Sequence, residues 1–187
     1  MNQRTLSLLN NKTNLEHLHT FKYVPISMGC ISTPQSDDII QDQIWDICED
    51  TGIIQLRNPL PLELVYAFPH NDGIGKVWEN HYQSFANFIS KFKVNTHVME
   101  WFDEDFKIES EYDAVVHSHV FEHTYDPLFF LETIHKQIDD TKLHIFSFPN
   151  LFKFLENRFT NALNFEHTAF LTEEITDILL KRVGFEL

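Results

Sequence analysis

The chain contains no glycine between Gly75 and Gly184, and this gap constrains the fold more than any other feature of the sequence. Only glycine readily provides the positive φ angles and the close backbone approach that a G-x-G-x-x-G nucleotide-binding turn requires. A turn of that kind is therefore excluded from residues 76–183, the stretch in which the strand and helix patterns of the main domain lie.

Strand and helix patterns alternate through this stretch. The strand patterns are β-branched or alternating apolar runs at Val94–Met99, Asp113–Val120 and Leu143–Phe148. Helical patterns cover residues 75–93, the segment after Asp126-Pro127, a segment from Pro149 to about Thr160, and Thr172–Gly184, in which we expect Ile175, Ile178 and Leu179 to face inward. This alternation predicts an α/β fold with parallel strands and flanking helices.

The first part of the chain has a different pattern. Residues 1 to about 60 are predicted to be irregular and polar, apart from a turn at Thr51-Gly52 that enters a short strand ending at Leu56. Pro59 and Pro61 then predict a boundary. We therefore divide the chain into an N-terminal module (1–60), a connecting helix region (61–93) and an α/β domain (94–187), with Phe185–Leu187 beginning a further strand.

Charge narrows the possible partners. The net charge is −14, from 28 acidic and 14 basic residues, which disfavours binding to nucleic acid or to an anionic membrane surface. Two cysteines, Cys30 and Cys48, give no disulfide framework, and no apolar run reaches the length of a membrane span. We expect a cytoplasmic protein.

Two Glu-His pairs are the candidate chemical groups. His119, Glu122 and His123 follow a predicted strand, and ligands of parallel α/β sheets bind beyond the carboxyl ends of the strands. Imidazoles suit proton transfer, and a carboxylate can orient them. The second pair, Glu166-His167, follows the next helix and would complete an acid–base set across one cleft. The alternative is a solvated loop whose histidines bond to the backbone.

A metal site is a competing interpretation of the histidines. His117, His119 and His123 have the spacing H-x-H-x-x-x-H, and three imidazoles plus water make a catalytic zinc site. His117 and His119 would share one face of a strand. No carboxylate or cysteine stands at a spacing typical of a hydrolase, so we predict no metal.

Several segments together resemble one family. His119-Val120-Phe121-Glu122-His123 followed by Asp126-Pro127 resembles the segment after strand four of class I S-adenosylmethionine-dependent methyltransferases. The segments that resemble their sugar C-methyltransferase subgroup, in the same order along the chain, are Trp45–Leu56 (its N-terminal zinc module), Tyr66–Tyr82 (its connecting helix), Ile145–Asn150, Asn164–Thr172 and Gly184-Phe185-Glu186.

The resemblance implies S-adenosylmethionine as cofactor and a sugar or nucleotide-sugar as substrate, destined for a surface polysaccharide. It implies that His123 and His167 are base candidates and that Glu122, Glu166 and His119 assist them. Trp101, Phe102 and His117 would contact the cofactor.

The sequence departs from this family at three places. The paired Cys-x-x-Cys of the zinc module, the glycine-rich cofactor loop and the last strands are absent. We therefore expect an incomplete Rossmann-like sheet with a newly exposed edge, impaired cofactor binding and a homodimer. A non-catalytic binding or partner protein and a histidine-based metal-dependent enzyme remain the alternatives.

Overall fold

The computed structural model describes residues 3–26, 38–67, 73, 75–95, 106–108, 111–159 and 163–187. Its elements, in chain order, are β1 (Leu15–Pro25), β2 (Ile40–Cys48), β3 (Ile54–Leu56), α1 (Leu62–Val65), α2 (Lys76–Ile89), β4 (Ala114–Ser118), α3 (Pro127–Gln137), β5 (Leu143–Ser147), α4 (Leu151–Glu156), β6 (Ala169–Phe170) and α5 (Glu173–Val183). Short 3-10 turns lie at Ser90–Phe92 and Phe121–His123.

The first sheet is antiparallel, with the strand order β1-β2-β3-β6. The prediction of an irregular N-terminal segment is therefore wrong, since β1 and β2 pair from Leu15↔Cys48 to Pro25↔Ile40. Strand β1 has no clear apolar alternation in the sequence, because it is exposed along most of its length and its pairing with β2 has two register shifts. The short strand predicted before Leu56 is confirmed as β3.

The second sheet is a parallel pair of β4 and β5, whose register runs from Ala114↔Leu143 to Ser118↔Ser147. The strands predicted at 113–120 and 143–148 are thus confirmed, with earlier ends. Of the strand predicted at Val94–Met99, Val94 and Asn95 are not in a strand, and the other residues lie outside the described part. The described residues form a mixed α/β structure with a two-stranded parallel sheet.

Helices α3 and α5 have the capping residues that the sequence predicts. Asp126 accepts a hydrogen bond from the Phe129 N–H at 2.9 Å at the start of α3, and Thr172 accepts one from Ile175 N–H at 3.3 Å at the start of α5. Gly184 ends α5 with φ 108°. Two details were wrong: Ile178 is exposed, and residues 185–187 form no strand.

The first 60 residues share a sheet and a core with the C-terminal part of the chain. In the sheet, Gln55 of β3 is opposite Ala169 of β6. The guanidinium of Arg4 donates to the Thr168 carbonyl at 2.8 Å. The main core joins the two parts through Leu9, Cys48, Ile53, Phe121, Phe130, Leu131, Ile134, Ala169, Leu171 and Leu179. Among the described residues, no helix is both long enough and apolar enough to cross a membrane.

Candidate functional site

The first Glu-His pair lies in the 3-10 turn that follows β4. Phe121 is fully buried and anchors this turn in the core, next to the ring of Phe130. The hydroxyl of Thr124 donates to the Phe121 carbonyl at 2.8 Å, which closes the turn. Glu122 and His123 are thereby held rigidly at the carboxyl end of a parallel strand, the edge where such sheets bind ligands.

The second pair lies in the loop before β6. The side-chain oxygen of Asn164 accepts hydrogen bonds from the backbone N–H groups of Glu166 at 2.9 Å and His167 at 2.8 Å. Such a bond from a side chain to the following backbone fixes a tight turn. The hydroxyl of Thr168 then donates to the Thr124 carbonyl at 2.8 Å and so joins this loop to the first turn.

The structure brings the two pairs together. The rings of His123 and His167 are 5.0 Å apart, centroid to centroid, at an interplanar angle of 68°. Nδ1 of His123 lies 3.7 Å from Oε2 of Glu166, and its Nε2 lies 3.8 Å from Oε1 of Glu122. We call Glu122, His123, Glu166 and His167 the Glu–His cluster.

Burial differs within the Glu–His cluster. Glu122 is 1% exposed, Glu166 6% and His167 9%, whereas the side chain of His123 is 26% exposed. His123 is therefore the member that a ligand reaches from solvent. The other three members lie behind it, in a poorly hydrated environment in which charges interact strongly.

Tyr66 is a site residue that the sequence reasoning did not select. It follows α1, and its hydroxyl lies 3.1 Å from Nδ1 of His123. Burial, and then the nearby Glu166, Tyr125 and Glu122, raise the pKa of Tyr66 far above its usual value. The oxygen of a phenol that stays protonated can accept the Nδ1–H of His123, and in that tautomer Nε2 carries the lone pair that takes a proton. The only signal was its position at the start of the segment that resembles the connecting helix.

His119 connects the Glu–His cluster to α2. Its Nδ1 lies 3.1 Å from Oε1 of Glu122, while its ring contacts the rings of Trp78 and His81 at 4.8 Å each. His119 adopts a left-handed φ of 54°, uncommon for a residue with a side chain. This conformation turns the chain sharply as β4 ends.

Three hydrogen-bonded polar side chains lie at the carboxyl ends of the parallel strands β4 and β5. Nε2 of His81 lies 2.9 Å from the hydroxyl of Ser118, which is 2.8 Å from the hydroxyl of Ser147. Burial and the neighbouring His119 lower the pKa of His81. A neutral His81 therefore attaches α2 to the carboxyl edge of the sheet.

His117 lies in a different environment from His119 and His123. Its Nε2 is 2.9 Å from Nε2 of His144, and its ring contacts Phe130 and Phe146. The H-x-H-x-x-x-H triad of the competing metal interpretation does not form a metal-capable group among the described residues, because β4 ends at Ser118 and the turn at His119 breaks the strand alternation. The structure instead brings together donor atoms of Glu122, His123 and His167 within 4.8 Å of one another.

The other residues considered in the sequence analysis do not contribute to this site in the described part of the chain. Trp101 and Phe102, proposed to face a cofactor, lie outside the described residues. Cys48 is a free thiol buried in the main core, with its sulfur 3.4 Å from the side-chain oxygen of Asn14.

Comparison with known proteins adds no assignment. No protein-family model matches this chain, and no curated protein sequence matches it.

Proposed function

We propose that the Glu–His cluster is the proton-transfer centre of an enzyme that acts on a sugar or a nucleotide-linked sugar, of the type seen in S-adenosylmethionine-dependent sugar methyltransferases. One observation carries this proposal: two Glu-His pairs from separate loops meet at the carboxyl end of a parallel strand. A destination in a surface polysaccharide and a cytoplasmic location belong to the same proposal.

The cluster suits removal of a proton from a bound sugar. His123 is the exposed imidazole, so its ring meets the substrate first, and Tyr66 fixes its orientation. Glu122 and Glu166 flank His123 and stabilise the imidazolium that forms when it takes a proton. His167 is the second base candidate, and His119 holds the Glu122 carboxylate in place.

The cofactor fits this chain poorly. No glycine lies between Gly75 and Gly184, so this part of the chain has no residue suited to the glycine-rich turn that closely approaches the cofactor in that family. His117, expected to contact the cofactor, is engaged with His144 in the sheet. We therefore propose that S-adenosylmethionine binds weakly or not at all, and a calorimetric dissociation constant in the low micromolar range would contradict this.

Proton removal can be tested without the cofactor. A carbon-bound hydrogen of a sugar becomes acidic next to a carbonyl group, so a positioned base exchanges it with deuterium in D₂O. We expect the protein to catalyse this exchange in nucleotide-linked ketosugars, detected by NMR. His123→Gln should slow the exchange by about 100-fold or more, the usual contribution of a general base.

A matched control makes the test specific. His135 is an exposed histidine on α3, and His135→Gln should leave the exchange rate unchanged. Sugar binding without exchange in the wild-type protein would favour a non-catalytic binding protein. Equal rates for His123→Gln and His135→Gln would show that His123 is not the base.

A further inference from the structure

The carboxylate of Glu122 has an incomplete set of partners. Its Oε1 lies near His119 and His123, but its Oε2 is buried and has no hydrogen-bond partner among the described residues. Asp46 is almost as buried, and both of its oxygens accept hydrogen bonds from Arg57. A buried carboxylate oxygen without a donor is costly, and such atoms mark catalytic groups or ion sites.

Two imidazoles stand beside this carboxylate. One ligand atom each from Glu122, His123 and His167 can be chosen so that all three lie within 4.8 Å of one another. In a tetrahedral site with bonds of about 2.1 Å, donor atoms are about 3.4 Å apart. Oε1 of Glu122 and Nε2 of His123, at 3.8 Å, are already near that separation.

We propose that Glu122, His123 and His167 bind one divalent ion of the zinc type. Two imidazole nitrogens and one carboxylate oxygen are a donor set of catalytic zinc sites, which leave a fourth position open. The mixed nitrogen and oxygen donors disfavour Mg²⁺ and Ca²⁺, which prefer oxygen ligands alone.

The neighbours of the three residues support such a site. Metal-bound histidines are usually held through their second ring nitrogen. Nδ1 of His123 lies 3.1 Å from the Tyr66 hydroxyl, and Nε2, the nitrogen proposed to bind the ion, lies 3.8 Å from Oε1 of Glu122. His119 holds the Glu122 carboxylate in the same way, at 3.1 Å.

This inference does not rest on the proposed proton-transfer function. A nitrogen lone pair that coordinates a metal ion cannot accept a proton, so bound zinc should inhibit deuterium exchange. Failure of metal binding leaves the exchange proposal intact, and failure of exchange leaves the metal proposal intact.

The test uses the full chain after dialysis against a chelator. We expect Co²⁺ to bind with one-to-one stoichiometry and to give the visible absorption of a low-symmetry four- or five-coordinate site, and Zn²⁺ to displace it. The double variant His123→Gln/His167→Gln should weaken binding by about 100-fold or more, since even outer partners of metal sites contribute 10–100-fold. The matched control is His17→Gln/His19→Gln, which removes two exposed histidines from β1 and should bind Co²⁺ like the wild type.

A second measurement needs no variant. Diethyl pyrocarbonate modifies exposed imidazoles, and we expect Zn²⁺ to protect His123 but not His17 when the modified peptides are identified by mass spectrometry. Equal modification of His123 with and without Zn²⁺ would overturn the proposal. So would equal Co²⁺ affinity in the two double variants.

Discussion

At the scale of single residues, Asp46 and Arg57 form an ion pair in the first sheet. The Nε–H of Arg57 donates to Oδ2 of Asp46 at 2.8 Å, and a second guanidinium N–H donates to Oδ1. Asp46 is 2% exposed, so the pair holds a carboxylate away from water. The hydrogen bond to Asp46 raises the pKa of Arg57, which keeps the guanidinium charged.

We predict that Arg57→Met destabilises the protein by about 3 kcal/mol, because it leaves the Asp46 charge buried without a partner. Urea denaturation followed by circular dichroism measures this loss. The control is Lys12→Met, which removes an ion pair with Asp50 in which both side chains are about half exposed or more. That change should cost less than about 1 kcal/mol. Equal losses for the two variants would show that burial of Asp46 does not matter.

Sequence reasoning selected all four residues of the Glu–His cluster, and for the first pair the reason was physical. Glu122 and His123 follow a strand that has a clear apolar pattern, and that position places them at a ligand-binding edge. Tyr66 was missed because it follows a four-residue helix with no strong pattern, and its contact with His123 spans 57 positions along the chain. Contacts of that kind depend on tertiary packing, which local periodicity does not report.

At the scale of elements, His117 and His144 join the two parallel strands. Burial, and then the neighbouring His144, lower the pKa of His117 well below its usual range, and burial lowers the pKa of His144 to about 3. In the unfolded chain, His117 and His144 both have the ordinary histidine pKa of about 6.5. Above that pH both are neutral in both states, and the stability is fully present. As pH falls below it, the unfolded chain gains protons that the folded protein does not, so stability is lost.

We predict that lowering the pH from about 7.5 to about 5 costs the wild type roughly 2–4 kcal/mol more than it costs His117→Leu/His144→Leu. Replacing both partners removes the titration without leaving a buried donor unmatched. Urea denaturation of both proteins at the two pH values measures the difference. Parallel pH dependence in the two proteins would show that this pair does not control acid stability.

The end of α5 gives a second prediction at this scale. Gly184 has φ 108°, which side-chain-bearing residues rarely adopt, and an added Cβ would lie 3.3 Å from Nε2 of His135. Gly184→Ala should therefore cost about 1–2 kcal/mol. Thermal unfolding of Gly184→Ala with and without His135→Ala separates the two causes. Full recovery in the double variant would mean that the backbone angle contributes nothing.

Helices were more predictable than strands in this chain. The caps Asp126-Pro127, Thr172 and Gly184 are local signals, and the structure uses all three. In contrast, β1 is exposed along most of its length, and its pairing with β2 is interrupted by two register shifts. Strand β6 has only two residues, which pair with β3 across more than a hundred positions of the chain. Pairing of this kind depends on distant partners, so the antiparallel sheet could not be predicted from its own segments.

At the scale of the whole molecule, large apolar side chains remain exposed in separate regions. On and after α4 these are Phe152, Leu155 and Phe159, each 46–55% exposed. On and after α2 they are Val77, Tyr82, Phe88 and Phe92, each 43–81% exposed. Exposed apolar patches favour association, and the net charge of −14 opposes it.

We therefore predict that the protein forms homodimers or larger assemblies whose population rises with salt. Salt screens the repulsion between acidic copies over a Debye length of about 10 Å at 0.1 M and does not weaken apolar contacts. Sedimentation velocity at low and high ionic strength measures this change. Phe152→Ser/Leu155→Ser should reduce the assembled fraction at high salt, whereas Leu187→Ser, an exposed apolar residue at the end of the chain, should not. A compact monomer at every ionic strength would contradict the prediction. An equal assembled fraction in the two variants would exclude the α4 surface as the contact.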